Sequence, residues 1–339
     1  MKRAIGILAI LVTASSLAAQ KNYSIKSRYT LGGEGSWDYL SLDTATNRLF
    51  VAREDRVMVI DAAKGKLLGE IKGLNRAHGV AFAYAEGHGF ATGGGDSTVT
   101  MFDLKTLAVI TRTKAADDDD AVLYDPISKH IFTLNGDAHS SSVIDAKTGA
   151  LITNIDLGAK PEFGVTALDG MLYANVDDNG KGAVVEIDAM AMRVTRRWST
   201  APCASATGLA IDIEHHRLIS VCRNTWMAIS DTKTGALVAT VKIGGGVDAA
   251  AFDPATQLAF ASNNDGTLTL VHEDSPDKWT VVANVLTGEA GKTMALDPKT
   301  HRVYVAAAKY EVPAGAGVGG ARPRPKMVPG SFVVLVLEQ

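Results

Sequence analysis

The chain contains little of several residue types, and each shortage argues against a class of function. Only two of its 339 residues are cysteines, Cys203 and Cys222, and no Cys-x-x-Cys occurs. This argues against thiol redox chemistry and against a cysteine-ligated zinc site. The formal net charge is only −3, so the chain lacks the basic surface that is typical of a nucleic-acid partner.

Long apolar runs are missing after the N-terminus, so no membrane span is expected there. The first residues combine Lys2 and Arg3 with an apolar stretch over 4–12 and small polar residues over 13–20, which is the order of a signal peptide. We expect residues 1–20 to be removed, with cleavage near residues 18–20, which would give a periplasmic or secreted protein. Export to an oxidising compartment permits a disulfide. A hairpin turning near Glu214 would bring Cys203 and Cys222 to the same end of blade five, so we expect them to pair; two unpaired thiols are the alternative.

Several enzyme motifs are absent as well. Neither His-Glu-x-x-His nor Gly-x-Ser-x-Gly occurs, which argues against the usual zinc-protease and serine-hydrolase sites. Gly315, Gly317 and Gly320 satisfy Gly-x-Gly-x-x-Gly, but prolines follow instead of a helix, so a dinucleotide site is rejected. No haem attachment motif is present, which disfavours an electron-transfer propeller.

What the chain does contain is a repeat of two short apolar strands around a turn that usually begins with Asp. The first copy runs from Trp37 to Asp43, turns over 44–48 and continues over 49–52. A period of about 40–45 residues built of short strands is the signature of propeller blades. Two copies lack the acid, and the seven marker residues that end the first strands are Asp43, Ala83, Asp125, Leu168, Asp212, Asp253 and Asp297.

Counting strands predicts how the ring closes. Blades one to six each continue with a third strand and a fourth strand, but blade seven ends with its third strand over 331–337. The segment 23–33 precedes blade one and resembles the other fourth strands, so we expect it to complete blade seven and protect the sheet edges. The sequence predicts one all-β domain over 21–339. We expect a monomeric seven-bladed β-propeller of four-stranded blades, with velcro closure by the N-terminal strand.

Three second strands carry a family resemblance. Tyr173-Ala-Asn-Val176, Phe260-Ala-Ser-Asn263 and Phe132-Thr-Leu-Asn135 resemble the Tyr-Val-Thr-Asn signature of the YVTN/YncE-type propeller repeats, and the turn Asp-Ala-Lys-Thr-Gly over 145–149 is similar too. The resemblance covers about residues 23–337. It implies an exported propeller scaffold and names no reaction, since propellers support many functions.

The candidate site follows from the repeat. Five residues before each marker, the first strand starts at the mouth of the central channel, beside the loops between blades. Oxygen ligands favour Ca²⁺ or Mg²⁺, and a histidine would admit a transition metal. The alternative is a ring of polar residues that only contacts channel water. The candidate ligand-binding residues are Trp37, Asp38, His78, Asp120, Glu162, Thr207, Arg223, Asp248, Asn263 and Lys292, and the candidate metal ligands are Asp38, His78, Asp120 and Asp248.

We also make structural predictions for an acidic run, an insertion and a set of histidines. The acidic run Asp117–Asp120 is predicted to be a solvated loop, with calcium capture as the alternative. The insertion 311–330 in blade seven is either a lid over the channel face or a flexible surface loop. Histidines in the turns between first and second strands, at the opposite end of the channel, are expected to be exposed, and they are His88, His130, His215, His216 and His301.

Taken together, the sequence favours an exported propeller that acts as a binding or interaction scaffold through its loop-rich channel face. Its ligand or protein partner is unknown. The alternative is a lactonase-like, metal-assisted hydrolase, by analogy with propeller lactonases that share the architecture but no residue motif with this chain. A divalent cation, Ca²⁺ or Mg²⁺, is the one cofactor candidate, and no catalytic residue is identified.

Overall fold

The computed structural model describes residues 23–288, 290–311 and 325–339, which form an all-β fold. These residues build seven four-stranded antiparallel sheets and one two-stranded ladder. Within the described ranges, no helix is long and apolar enough to cross a membrane. The predicted signal peptide over 1–20 lies outside the described residues, as does 312–324 of the predicted insertion.

Blades one to six each contain four consecutive strands, in the order of the chain. The strands of blades one to three are β2 (Trp37–Asp43), β3 (Arg48–Arg53), β4 (Arg56–Asp61), β5 (Leu67–Lys72); β6 (Ala77–Ala83), β7 (His88–Gly93), β8 (Thr98–Asp103), β9 (Val109–Lys114); and β10 (Asp119–Asp125), β11 (His130–Asn135), β12 (Ser140–Asp145), β13 (Leu151–Asp156). Those of blades four to six are β14 (Lys160–Thr166), β15 (Met171–Asp178), β16 (Lys181–Asp188), β17 (Arg193–Ser199); β18 (Ala206–Asp212), β19 (Arg217–Cys222), β20 (Trp226–Asp231), β21 (Leu237–Lys242); and β22 (Val247–Asp253), β23 (Leu258–Asn263), β24 (Thr267–Ser275), β25 (Lys278–Leu286).

Blade seven joins the two ends of the chain. Its strands lie in the order β26 (Ala290–Asp297), β27 (Arg302–Ala308), β30 (Val333–Glu338) and β1 (Ser24–Thr30). Strand β1 pairs antiparallel with β30, from Ser24 opposite Glu338 to Thr30 opposite Val333. The first strands contact one another around the ring, and β26 contacts β2. The predicted closure by the N-terminal strand is confirmed.

A buried arginine reinforces this closure. Arg53, at the end of β3, is fully buried, and its guanidinium lies 4.0 Å from the centre of the Phe332 ring in blade seven. Burial lowers the pKa of Arg53 to about 10. The guanidinium donates hydrogen bonds to four backbone carbonyls of the segment between β1 and β2, those of Gly32, Glu34, Gly35 and Ser36. Arg53 therefore ties the segment after the closing strand to blades one and seven.

Six aromatic residues occupy one repeated core position. The third residue of the second strand is aromatic in six blades and isoleucine in blade five, and all seven are at least 95% buried: Phe50, Phe90, Phe132, Tyr173, Ile219, Phe260 and Tyr304. Each side chain packs between neighbouring elements, so the blades share one type of core contact.

Acids at the ends of the first strands shape the turns. Asp43 is buried and accepts hydrogen bonds from the backbone N–H groups of Ala45 and Thr46. Asp253 and Asp297 do the same for the N–H groups two residues on. This is the local reason for the Asp-led repeat, because the side chain caps a turn that the strand pair needs.

The two cysteines lie together in blade five. Cys203 precedes β18 and Cys222 ends β19, and the structure joins them in a disulfide with their Cα atoms 5.4 Å apart. Both side chains are buried beside Ala206 and Ala228.

Candidate functional site

The predicted ring positions all lie where a first strand loses register with its second strand. In every blade the pairing shifts near the start of the first strand, as between Trp37 and Leu40 or between Ala77 and Val80. Asp38 and His78 lie inside these irregularities. A bulge breaks the strict alternation of side chains and can turn a polar residue toward a site. The irregularity is therefore the local device that presents the ring to the channel mouth.

Three ring residues from consecutive blades meet at one imidazole nitrogen. Nδ1 of His78 lies 2.5 Å from Oδ2 of Asp38 and 3.0 Å from Oδ1 of Asp120. The three side chains are mostly buried, with 12–18% of their surface exposed. Their potential ligand atoms lie within 4.8 Å of one another. The donor set of two carboxylates and one imidazole suits a single divalent cation.

The same geometry controls protonation. Burial alone would lower the pKa of His78, but its hydrogen bonds to Asp120 and Asp38 and their negative charges raise it to about 10. Burial raises the pKa of Asp120, against the opposing effect of His78. In the absence of a cation, a proton on Nδ1 therefore holds the two carboxylates together, at the point where their lone pairs converge.

The other nitrogen of His78 is enclosed by the backbone of its own blade. Nε2 is buried and has no hydrogen-bond partner among the described residues. A Cβ atom at Gly94 would lie only 2.8 Å from Nε2, a distance that real Cβ atoms do not adopt. Glycine at this position therefore lets the loop after β7 cover the imidazole, which keeps its Nδ1 directed at the two carboxylates.

Asp248, the fourth candidate metal ligand, lies outside this cluster and beside a lysine. Nζ of Lys292 is 3.7 Å from Oδ2 of Asp248 and 3.9 Å from Oδ1 of Asp38. Burial raises the pKa of Asp248 to about 6, although Lys292 opposes the shift. Burial would lower the pKa of Lys292, but Asp38 and Asp248 raise it. Lys292 thus connects the cluster electrostatically with Asp248.

Glu162 and Arg223 extend the charged ring through blades four and five. NH2 of Arg223 lies 3.7 Å from Oε2 of Glu162, and Nζ of Lys160 lies 3.9 Å from Oε1. Burial raises the pKa of Glu162 to about 7, although Arg223 and Lys160 lower it. The mouth therefore contains a carboxyl group that titrates near neutral pH.

Tyr39 is a channel residue that the sequence did not single out. It follows Asp38 inside the same irregularity and packs against Phe163, with ring centres 4.9 Å apart. Its hydroxyl donates a hydrogen bond to the carbonyl of Glu162 at 3.4 Å. Burial and the neighbouring acids raise the pKa of Tyr39 well above its ordinary value, so the phenol is neutral. The signal for it was its position one residue after a ring acid.

Three candidate ligand-binding residues pack inside the fold. Trp37 is 4% exposed and packs on Phe332 with ring centres 5.2 Å apart. The hydroxyl of Thr207 shares its one proton between a backbone carbonyl of its own blade and one of the next. The buried amide of Asn263 donates to side chains of its own blade. The structure therefore does not bring these three side chains to the surface of the mouth.

A cavity of about 500 Å³ adjoins the ring. Asp248, Lys292 and Arg223 line it, together with Tyr310 and Pro325, which lie on either side of residues 312–324. Strands β28 (Tyr310–Glu311) and β29 (Lys326–Met327) pair with each other there. The described ends of the insertion thus form one wall of the cavity, which carries charge of both signs.

The acidic run is not a solvated loop, because β10 begins inside it. Asp119 is fully buried, and burial raises its pKa to about 7. Asp120 belongs to the His78 cluster, and Oδ1 of Asp118 lies 3.5 Å from NH2 of Arg76. The expectation of a solvated run was wrong for Asp119 and Asp120.

The expectation of exposed turn histidines was also largely wrong. Only His216 is exposed, and the other four are partly buried. Nδ1 of His88 bonds to a backbone carbonyl of blade three, and Nδ1 of His301 lies 2.7 Å from Oδ2 of Asp253. Nδ1 of His215 lies 2.7 Å from Oδ2 of Asp212. The turns pack against neighbouring blades, which the sequence of one repeat does not reveal.

Comparisons with known proteins support the architecture. No protein-family model matches the chain, and no curated protein matches it. The chain is similar to a solved structure of Kuenenia stuttgartiensis hydrazine synthase, with a TM-score of 0.69 and 16% identity over 84% of this chain and 95% of that chain. At this identity the likeness shows the fold alone.

Proposed function

We propose that this protein is an exported binding propeller of the YVTN/YncE type whose channel mouth holds a divalent cation together with a small ligand. One observation carries the proposal: Asp38, His78 and Asp120, from three consecutive blades, converge on a single point. Three protein ligands leave coordination positions for an outside molecule, which is how metal sites that bind ligands differ from closed structural sites.

The donor set narrows the choice of metal. Ca²⁺ and Mg²⁺ prefer cages of oxygen atoms, whereas an imidazole nitrogen suits Zn²⁺ and other first-row metals. His78 lies at the centre of the cluster, so we favour Zn²⁺ or Mn²⁺ over Ca²⁺ or Mg²⁺. Metal binding would replace the proton on Nδ1, and affinity should therefore rise with pH.

The cavity indicates the class of ligand. Lys292 and Arg223 supply positive charge on its wall, and the metal would supply more. A small carboxylate could bind the cation through oxygen while Lys292 neutralises its remaining charge. A volume of about 500 Å³ lies within the range of small-molecule sites.

Calorimetry with Zn²⁺, Mn²⁺, Ca²⁺ and Mg²⁺ tests the first step. We expect Zn²⁺ or Mn²⁺ to bind tightest and Asp120→Asn to abolish binding at this site. Asp248→Asn is the matched control, because Asp248 lies in the cavity but outside the cluster, so metal binding should survive. Small carboxylates should then bind only with metal present. Equal metal binding by the wild type and Asp120→Asn would refute the proposal.

A lactonase-like hydrolase is the second candidate, favoured by Asp248. Its pKa of about 6 suits a general base near neutral pH, and it lies in the wall of the cavity. The cation would polarise the carbonyl of a lactone, and Asp248 would accept a proton from water. Lactone and ester hydrolysis should be measured on the wild type, Asp120→Ala and Asp248→Ala; turnover that survives both substitutions would exclude this candidate.

A further inference from the structure

A second convergent cluster lies at the opposite end of the channel, between blades five and six. Asp212 ends β18, His215 lies in the following turn, and Glu273 lies near the end of β24. Nδ1 of His215 is 2.7 Å from Oδ2 of Asp212 and 3.1 Å from Oε1 of Glu273. The potential ligand atoms of the three residues all lie within 4.8 Å of one another.

Glu273 is the unusual member of the cluster. Its side chain is fully buried; Nδ1 of His215 lies 3.1 Å from Oε1, and Oε2 has no hydrogen-bond partner among the described residues. Burial and the nearby Asp212 raise its pKa to about 7, although His215 opposes the shift. At most one positive charge, on His215, faces the two carboxylates of Asp212 and Glu273, which favours a cation of higher charge at this point.

The other blades show that the fold does not need an acid at this position. In six blades the backbone N–H of the equivalent residue donates to a carbonyl of the turn between the first and second strands, as the N–H of Glu273 does to Gln257. Apart from Glu273, the residues at this repeated position are small, apolar or neutral: Ala62, Leu104, Ala146, Ala189 and Thr232. The repeat acts as an internal control, and it indicates that Glu273 has a role beyond packing.

The position of His215 supports the same conclusion. In blade seven the equivalent turn residue is Thr300, whose hydroxyl donates to the marker acid Asp297 at 2.6 Å. In blade one Thr46 donates to Asp43 in the same way. His215 keeps this bond to Asp212 and also reaches Glu273 in the next blade. A hydroxyl would serve the turn, so the imidazole adds a contact that only the cluster uses.

We propose that Asp212, His215 and Glu273 form a second metal site, which binds a first-row dication such as Zn²⁺ and clips blade five to blade six. Two carboxylates and one imidazole nitrogen provide three ligands of the types that Zn²⁺ uses. The cation would lie where the three groups converge and would neutralise Glu273. About 30% of the His215 side chain is exposed, which gives solvent a path to the site.

The other blades supply variants that should fold. Glu273→Ala introduces the alanine that three other blades carry, and His215→Thr introduces the threonine of blades one and seven. Glu214→Ala is the matched control, since Glu214 is an exposed acid in the same turn. All variants should be made in an Asp120→Asn background, which removes the candidate channel site, and titrated with Zn²⁺ by calorimetry. Visible absorption of bound Co²⁺ provides a second readout.

The Asp120→Asn protein should bind one Zn²⁺, and Glu214→Ala should not change this. Glu273→Ala and His215→Thr should each weaken binding at least about tenfold, because loss of an outer-shell partner alone typically costs about 10- to 100-fold. Zn²⁺ should raise the melting temperature of Asp120→Asn but not that of the Glu273→Ala double variant. Unchanged binding in both ligand variants, or no binding by Asp120→Asn, would overturn this site. Neither result would decide the channel site, which is tested by Asp120→Asn against the wild type.

Discussion

Nδ1 of His78 and Oδ2 of Asp38 lie 2.5 Å apart, although the two residues are separated by 40 positions in the chain. That separation is one repeat, so the two residues occupy equivalent positions in the first strands of adjacent blades. Asp120, in the next blade, completes the contact at 3.0 Å. A repeat that places polar residues of neighbouring blades at the same height thus assembles a site from positions that are distant in sequence.

Gly94→Ala tests how the imidazole of His78 is held. The new Cβ would lie 2.8 Å from Nε2, so the ring must move and Nδ1 must leave the two carboxylates. Zn²⁺ affinity at the channel site should fall at least about tenfold, as outer-shell changes commonly do. Gly245→Ala is the control, because its Cβ would meet no atom closer than 3.6 Å. Equal affinity in both variants would show that Gly94 does not position His78.

Glu162→Gln tests the electrostatics of the mouth through stability at different pH values. The pKa of Glu162 is raised from 4.5 to about 7 in the folded protein, so between these values the folded chain binds more protons than the unfolded chain. Stability from this group therefore falls as pH rises through that window. Glu162→Gln should raise the free energy of unfolding at pH 8 by up to about 3 kcal/mol, with little effect at pH 4.5.

Glu186→Gln should show the opposite sign. Burial would raise the pKa of Glu186, but its hydrogen bonds to Arg196 and Thr195 lower it below its ordinary value. Its contribution is therefore lost as pH falls, and the substitution should destabilise the protein most near neutral pH. Urea unfolding at several pH values measures both variants. A Glu162→Gln effect that does not depend on pH would contradict the raised pKa.

Some features of this protein follow from the order of residues along the chain, and others follow only from three-dimensional contacts. The register of the repeat located the ring, and the count of fourth strands predicted that β1 closes blade seven, because both depend only on order along the chain. The contacts within the ring depend on three-dimensional detail. The register shift that contains Asp38 and Tyr39 is seen only in the pairing of β2 with β3, and the ion pair of Asp248 with Lys292 was not predicted either.

Glu273 shows the same limit more sharply. In blades one to five the third strand ends at an aspartate, whereas β24 continues past the equivalent residue to Ser275 and buries Glu273. A single repeat cannot show that its turn packs on the next blade, so His215 was expected to be exposed. Glu273 is the one acid at this position among blades one to six, and this difference is a usable signal once the blades are aligned by structure.

Arg53→Lys tests the closure of the ring. Lysine keeps the charge but loses the planar set of donors that serves four carbonyls and stacks on Phe332. We expect a loss of roughly 2 kcal/mol or more in the free energy of unfolding, at about 1 kcal/mol for each lost hydrogen bond. Arg56→Lys is the control, because Arg56 is partly exposed and forms ion pairs with Asp55 and Glu70. Equal losses in the two variants would argue against a special role of Arg53.

Removing the disulfide tests its contribution in blade five. The bond between Cys203 and Cys222 spans 19 residues, and in the loop-entropy treatment a bridge of this size stabilises by about 3 kcal/mol. The double variant Cys203→Ala, Cys222→Ala should unfold at lower urea than the oxidised wild type. Reductant should destabilise the wild type and leave the variant unchanged. A wild type insensitive to reductant under unfolding conditions would contradict the expectation.

The most direct test of the channel site is a crystal structure of the wild type soaked in Zn²⁺, with anomalous scattering recorded at the zinc edge. We predict a peak about 2.0–2.1 Å from Nδ1 of His78 and about 2.0–2.2 Å from a carboxylate oxygen of both Asp38 and Asp120. The same soak of Asp120→Asn should lack that peak. A well-ordered wild-type site with no anomalous peak at saturating Zn²⁺ would show that the three residues share only a proton.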